Sequence, residues 1–141
     1  MIEGVYLVRA GSPLATAAEV DRPGVRIGAN RGSAYDLFLT RTLAAAEVVR
    51  GEDGIALFLE GGLDVAAGIR QPLARVVARH GGLRILEPRF MEIRQAVATP
   101  RPRSEAATTF LRGTVEELKA GGFVAAALER SGQDATVAPP G

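Results

Sequence analysis

The stretch that decides the fold, residues 25–36, reads VRIGANRGSAYD. Its first five residues alternate apolar and small side chains as a buried strand does, and the Asn-Arg-Gly that follows is typical of a turn. Ser33 then stands where a helix N-cap belongs, and Asp36 follows three residues later, as in a capping box. We predict a strand, a glycine-containing turn and a helix from Ser33 to about Ala45.

Outward from this stretch, strand-like and helix-like segments alternate along the chain. Short apolar runs predict strands, and amphipathic runs that end at paired glycines predict helices. The predicted strands are Val5–Val8, Val25–Ala29, Glu47–Arg50, Leu63–Ile69, Leu83–Leu86 and Ile93–Thr99, and further helices are predicted over Ile55–Glu60, capped by Asp53, and from Gln71-Pro72 onward. This alternation with short connections predicts an α/β fold of three layers, a mainly parallel sheet with helices on both faces.

The sharpest change in composition is the Pro-Arg-Pro-Arg run at residues 100–103, which predicts a domain boundary. We expect an α/β lobe over residues 1–99, a C-terminal helical segment over residues 100–132 and a flexible tail over residues 133–141, where no periodic pattern remains. Ser104 is the predicted cap of a long helix in that segment. The predicted apolar face of this helix consists of Ala107, Phe110, Leu111, Val115 and Leu118.

Composition excludes several classes of protein. Hydrophobic residues make up 47% of the 141-residue chain and charged residues 23%, which is typical of a globular domain. Seventeen basic residues against sixteen acidic ones give a net charge of +1, so we expect no nucleic-acid partner. With no cysteine and a single histidine, we expect neither a metal site nor a cofactor. No apolar run approaches the roughly 20 residues of a membrane-spanning helix.

The turn before the predicted helix contains the parts of an anion site. Free amides of the first helical turn and the positive end of the helix dipole point beyond the carboxyl end of the strand. Gly32 allows close approach of the backbone, Ser33 can donate a hydrogen bond to a carboxylate or phosphate, and Arg31 adds a planar pair of donors. In the structural alternative, Ser33 only caps its own helix and Arg31 is a solvated loop residue. The fingerprints of nucleotide-binding loops are absent or incomplete, which argues against a nucleotide ligand.

A second candidate pair is Arg70 and Gln71. They follow the strand that ends at Ile69, at the corresponding edge of the sheet, so they are expected to project into the same crevice as the Ser33 turn. Asp64 stands at the opposite end of that strand, where a local bridging role is expected, and His80 suits a structural role at a helix C-terminus. Since no nucleophile, base and orienting residue occur together, we expect no catalytic residues and no enzyme activity.

The order of these motifs resembles the second lobe of the family 3 extracellular solute-binding proteins, the substrate-binding subunits of ABC importers. The segments that carry the resemblance are Tyr6–Pro13, Gly24–Gly28, Arg31–Asp36, Leu63–Gly68 and Thr114–Phe123. It covers nearly the whole chain and implies that a ligand is captured between two α/β lobes, without catalysis. The resemblance also implies that Gly32, Ser33 and Ala34 receive the ligand carboxylate, as the Gly-Ser/Thr turn does in the family.

Two departures from the family modify what the resemblance implies. Amino-acid-binding members carry an aspartate shortly after the strand that contains Asp64, whereas this sequence has Ile69 and Arg70 there. We therefore expect a small polar or anionic solute of the amino-acid-like class. A second anionic or polar group of this solute is expected to contact Arg70 and Gln71. The family pattern also includes a leader peptide and roughly another hundred residues. This chain is accordingly expected to be a fragment, comprising the second lobe and the C-terminal helix.

The resemblance implies partners as well. The intact protein is expected to be periplasmic or extracytoplasmic and to pass its solute to the membrane subunits of an ABC importer. The face with Phe110, Val115 and Leu118 is expected to lack its usual cover, which predicts a homo-oligomer or a segment-exchanged dimer. A ligand-sensing domain of a regulator or receptor is the alternative, because the fold alone does not separate these functions. An enzyme of the same architecture would need an acid–base pair near Ser33.

Overall fold

The computed structural model describes residues 1–101, 103–133 and 135–141, and the chain divides into two compact units. The larger unit comprises Glu3–Ile93, and the smaller unit comprises Met1–Ile2 together with Arg94–Gly141. The strands are β1 (Ile2–Arg9), β2 (Arg26–Asn30), β3 (Glu47–Gly51), β4 (Val65–Ile69) and β5 (Leu83–Ile93). The helices are α1 (Ala34–Thr42), α2 (Gly54–Glu60), α3 (Arg70–His80), α4 (Glu105–Ala120) and α5 (Phe123–Arg130).

The five strands form one mixed sheet in the order β3-β2-β4-β1-β5. β2 pairs in parallel with β3 and with β4, whereas β1 runs antiparallel to β4. We predict a mainly parallel sheet, and the structure differs from this prediction in the direction of β1, which is antiparallel to β4. An apolar run indicates that both faces of a strand are covered, but it does not indicate the direction of the neighbouring strand.

The central strands supply a hydrophobic core on each face of the sheet. Tyr6 and Val8 of β1 belong to one cluster, and Val5 and Leu7 belong to the other, because alternate side chains of a strand point to opposite faces. Helix α1 adds Leu39 to the first cluster. Helices α2 and α3 add Phe58 and Leu73 respectively to the second cluster, and all seven of these side chains are almost fully buried. The predicted three-layer α/β fold is confirmed.

Helix α1 ends at Thr42, before the predicted end near Ala45. The carboxylate of Asp21 accepts hydrogen bonds from the N–H groups of Ala44, Ala45 and Ala46 at 2.7 to 2.9 Å. These amides are therefore held by a side chain from outside the helix. The residue that ends α1 lies more than twenty positions earlier in the sequence, where helix periodicity cannot reveal it.

The predicted strand Leu83–Leu86 is confirmed as the first part of a longer strand, whereas the predicted strand Ile93–Thr99 is wrong. A single strand, β5, runs through Pro88 to Ile93, and residues 94–99 have no regular secondary structure. Charged residues interrupt the apolar pattern in the middle of β5, and Glu87 and Arg89 satisfy their charges in ion pairs. The sequence pattern therefore predicted a break where the strand continues.

Helix α2 packs against β2 with direct contact between backbones. A Cβ atom on Gly54 would lie 2.6 Å from the Cα atom of Ala29, and one on Gly28 would lie 2.4 Å from the carbonyl oxygen of Gly54. The side chain of Asn30 accepts a hydrogen bond from the N–H of Gly54 at 2.9 Å. These contacts hold the turn between β3 and α2 beside the turn between β2 and α1.

The smaller unit consists chiefly of α4 and α5. Ser104 caps α4, as predicted, because its Oγ accepts a hydrogen bond from the N–H of Ala107 at 3.2 Å. None of the described residues from 94 to 141 is buried, and Phe110, on the predicted apolar face, is 76% exposed.

The larger unit ends at Ile93, whereas the predicted lobe extends over residues 1–99. The boundaries of that lobe, of the helical segment over residues 100–132 and of the flexible tail over residues 133–141 stay predictions. Nowhere in the described part of the chain is a helix long and apolar enough to cross a membrane.

Candidate functional site

The candidate site is the turn that joins β2 to α1. Gly32 has a φ of +73°, a backbone conformation that glycine adopts without strain, and α1 begins two residues later at Ala34. Because β2 is parallel to β3 and β4, the turn stands at the carboxyl edge of these three strands. In open α/β sheets this edge is where ligands usually bind.

The backbone amides of the turn fall into a paired set and an unpaired set. Gly32 donates its N–H to Oδ2 of Asp36 at 2.8 Å, and Ser33 donates its N–H to the carbonyl oxygen of residue 30 at 3.2 Å. Within the described residues, the N–H groups of Ala34 and Tyr35 have no hydrogen-bond partner. Two free donors at the positive end of a helix dipole are suited to an anion.

Ser33 is the N-cap of α1, as predicted. Its Oγ accepts a hydrogen bond from the N–H of Asp36 at 3.1 Å. Burial raises the pKa of Tyr35, while hydrogen bonds to the Ser33 side chain and to the backbone of Asn30 oppose that rise. Capping by Ser33 is confirmed, and ligand binding by Ser33 stays a prediction.

Asp36 and Arg50 form an ion pair beneath the turn. Asp36 is only 3% exposed, and its Oδ1 accepts a hydrogen bond from Nε of Arg50 at 2.7 Å. Arg50 also donates to the hydroxyl of Thr40 at 2.7 Å. Sequence spacing predicts a capping box for Asp36 and predicts no role for Arg50. The signal that could have indicated a role for Arg50 is its position near the end of β3. There Arg50 pairs with Ala29 of β2, next to the turn.

Arg31 is the exposed residue of the turn. Its backbone N–H donates to the carbonyl oxygen of Gly51 at 2.8 Å, which ties the turn to the end of β3. One nitrogen of its guanidinium lies 3.4 Å from the carbonyl oxygen of Arg50, beyond the usual length of such a bond. The guanidinium of this exposed residue therefore has little internal engagement.

Arg70 lies at the same edge of the sheet, but its guanidinium is engaged elsewhere. Nε donates to Glu3 at 2.6 Å, and the two Nη atoms donate to both carboxylate oxygens of Glu87 at 2.6 and 2.8 Å. Glu3 belongs to β1 and Glu87 to β5, and both strands lie on the side of β4 away from β2. We expected Arg70 to converge with the Ser33 turn. Its ion pairs do not favour this convergence, because they hold the guanidinium on the side of β4 away from that turn. Gln71 is half-buried in the first turn of α3.

The ion pair of Arg70 with Glu87 affects both groups. The hydrogen bonds from Arg70 lower the pKa of the Glu87 carboxyl, and those same bonds raise the pKa of the Arg70 guanidinium. Arg70 therefore stays charged and paired at neutral pH.

As expected for a local bridge, Asp64 accepts a hydrogen bond from the backbone N–H of Arg26 at 2.8 Å. The described histidine, aspartate and glutamate side chains form no cluster of three that could hold a metal ion.

Solved structures share this fold. An ancestral arginine-binding protein bound to arginine matches 92% of the chain at 18% identity, with a TM-score of 0.69. A putative binding component of an ABC transporter from Wolinella succinogenes DSM 1740, complexed with lysine, matches 92% at 15% identity, with a TM-score of 0.68. An ancestral cyclohexadienyl dehydratase matches 92% at 19% identity, with a lower TM-score of 0.52.

The chain spans 59%, 58% and 56% of the length of these three proteins, respectively. No model of a protein family matches the sequence, and no curated protein matches it. The chain has the α/β fold of the substrate-binding proteins of amino-acid ABC transporters, so the predicted resemblance is confirmed at the level of fold.

Proposed function

We propose that this chain is the ligand-binding lobe of a solute-binding protein that serves an ABC importer. The observation that carries the proposal is the pair of unpaired N–H groups of Ala34 and Tyr35, which lie beside the exposed Arg31 at the carboxyl edge of the sheet. The neighbours in fold support the class of function, since two of them hold arginine or lysine. The proposed ligand is a small polar or anionic solute of the amino-acid-like class.

In this proposal the turn binds the carboxylate of the solute. The amides of Ala34 and Tyr35 donate to it, the hydroxyl of Ser33 and the guanidinium of Arg31 add donors, and Gly32 lets the ligand approach the backbone. No reorganisation of the helix is needed, because both amides are already unpaired. Arg70 and Gln71 follow β4 at the same edge, and the proposed site extends to them. Arg70 would have to leave its ion pairs with Glu3 and Glu87 to contact the solute.

The proposed protein binds its ligand and does not transform it. Among the described residues of the turn, no base accompanies the Ser33 hydroxyl, because Asp36 is engaged by Arg50 and Gly32. One neighbour in fold is a dehydratase, at a lower TM-score than the binding proteins. The regulator alternative is not favoured, since the neighbours are mainly transport proteins. An extracytoplasmic location and contact with importer membrane subunits are part of the proposal.

The test is a titration of the ¹⁵N-labelled chain with individual L-amino acids, followed by NMR. We expect saturable shifts of the Ala34 and Tyr35 amide signals at millimolar ligand, because contacts from a second lobe do not contribute. The methyl ester of the same amino acid serves as the control, since it lacks the carboxylate charge. Equal shifts with acid and ester would contradict carboxylate binding by the turn.

Two substitutions locate the site. Arg31→Ala should weaken binding about fivefold, the effect of losing one hydrogen bond of about 1 kcal/mol, whereas Arg41→Ala on the exposed side of α1 should not. Ser33→Ala should also weaken binding, and Ser104→Ala is its matched control because Ser104 caps α4 in the same way. Unchanged affinity in both Arg31→Ala and Ser33→Ala would overturn the proposed site.

A further inference from the structure

A buried carboxylate lies directly behind the proposed ligand position. Asp36 is in the first turn of α1, the same turn that presents the free amides of Ala34 and Tyr35. Two like charges that lie within a few ångströms of each other repel strongly at the effective dielectric of a protein surface. An uncompensated Asp36 would therefore repel the carboxylate that the proposed function places beside it.

The structure provides the compensation through Arg50. Its Nε donates to Oδ1 of Asp36 at 2.7 Å, while its Nη atoms donate to the carbonyl oxygen of Val48 at 3.2 Å and to the hydroxyl of Thr40 at 2.7 Å. These bonds fix the guanidinium on β3 and α1 together. The positive charge is thus held on the carboxylate and is not free to follow a ligand.

The other oxygen of Asp36 shapes the turn. Oδ2 accepts a hydrogen bond from the N–H of Gly32, outside the helix, so Asp36 leaves the amides of Ala34 and Tyr35 unoccupied. Helix α2 provides the contrast. There the N-cap carboxylate of Asp53 accepts hydrogen bonds from the helix's own amides, those of residues 55 and 56. The arrangement at α1 keeps donors open where the one at α2 closes them.

We propose that Arg50 is a positioning residue of the carboxylate-binding turn: through Asp36 it orients Gly32, and it neutralises the buried charge that would otherwise exclude an anionic ligand. The inference rests on the proposed function and deepens it. Arg50 does not touch the ligand, and its effect is a preference for a carboxylate over an uncharged group of the same shape.

The test compares affinities for an L-amino acid and for its carboxamide, measured by NMR titration with the full chain. Arg50→Gln should weaken binding of the acid about tenfold or more and leave the carboxamide unchanged. Asp36→Asn should strengthen binding of the acid, because Arg50 is then uncompensated while the side-chain oxygen of Asn still accepts the Gly32 N–H. The double variant Arg50→Gln/Asp36→Asn should return the preference to that of the wild type. Arg41→Gln is the control for loss of a positive charge on α1.

The pattern of signs separates positioning from general damage. A structural role alone would weaken binding in every variant, so a weakened Asp36→Asn variant would overturn the inference. Equal preference for the acid in Arg50→Gln and the wild type would also overturn it. If Arg50→Gln does not fold, Asp36→Asn still decides, since only the inference predicts a gain. Absence of any carboxylate-dependent shift in the wild type would overturn the proposed function itself, together with the inference.

Discussion

At the scale of single residues, Asp21 shows how one side chain sets the end of a helix. Three backbone N–H groups, those of Ala44, Ala45 and Ala46, donate to its carboxylate. These hydrogen bonds favour the charged form, so they lower the pKa of Asp21 in the folded protein. A carboxyl group with a lowered folded pKa stabilises the fold when it is ionised, and that contribution disappears as the carboxyl group is protonated.

We therefore predict a pH dependence that Asp21→Asn removes. Above a pH of about 3.9, the ordinary value for an aspartate, the wild type should be more stable than the variant. The difference should shrink as the pH falls below that value and through the folded pKa. Urea unfolding at a series of pH values between 2 and 6 measures it. A difference between the two proteins that stays constant across this range would contradict the assignment.

Interactions between neighbours in sequence were predictable at this scale, and interactions between distant residues were not. The caps formed by Ser33 and Asp53 followed from local spacing, because cap and helix lie within three residues of each other. The ion pair of Arg50 with Asp36 depends on the pairing of two strands. The pair of Arg70 with Glu87 depends on the order of strands in the sheet, which no local pattern encodes.

At the scale of elements, the contact between α2 and β2 depends on the absence of side chains. The Cβ atom of an alanine at position 54 would lie 2.6 to 2.7 Å from the backbone of Ala29, and a backbone cannot move aside as a side chain can. Gly113, in the interior of α4, has no atom within 4 Å of the position of its Cβ. The two glycines therefore respond oppositely to the same substitution.

Gly54→Ala should lower the free energy of unfolding by about 2 kcal/mol, the typical effect of overpacking. Gly113→Ala should raise it by about 0.5 to 1 kcal/mol, because alanine favours a helix more than glycine does. Chemical denaturation followed by circular dichroism compares the two variants with the wild type. A Gly54→Ala protein as stable as the wild type would contradict this prediction, because it would show that α2 can move away from β2 without a decrease in the free energy of unfolding.

The elements themselves were largely predictable because apolar periodicity records burial. It located β1 to β4 and the centres of α1, α2 and α3 to within a few residues. It failed where burial was not the cause of the structure. β5 continues through ion-paired residues, and α1 ends at amides bound by Asp21.

At the scale of the whole molecule, the two units differ in how they bury apolar side chains. Among the described residues, all the buried hydrophobic side chains lie in the larger unit, whereas Phe110 and Phe123 in the smaller unit are 76% and 57% exposed. Aromatic side chains are enriched at protein–protein interfaces relative to the rest of a protein surface. The expected homo-oligomer or segment-exchanged dimer stays a prediction on this basis.

We predict that the purified chain self-associates through these residues. Light scattering coupled to size-exclusion chromatography should give a mass that rises with concentration. Phe110→Ser together with Phe123→Ser should reduce that rise, because less apolar surface is removed from water on association. Leu37→Ser, which changes an apolar residue 50% exposed in the larger unit, is the matched control. A wild-type chain that stays monomeric at all concentrations would contradict the prediction.

The position of β1 in the sheet also sets the order in which the chain can fold. β1 lies between β4 and β5, so the first of these five strands to be made has as its partners two strands that are made more than fifty residues later. By contrast, β2, α1, β3, α2 and β4 can associate in the order of their synthesis. During translation, the apolar residues of β1 therefore wait unpaired until β4 emerges, which exposes them to aggregation. Slower production at lower temperature should raise the soluble yield of this protein.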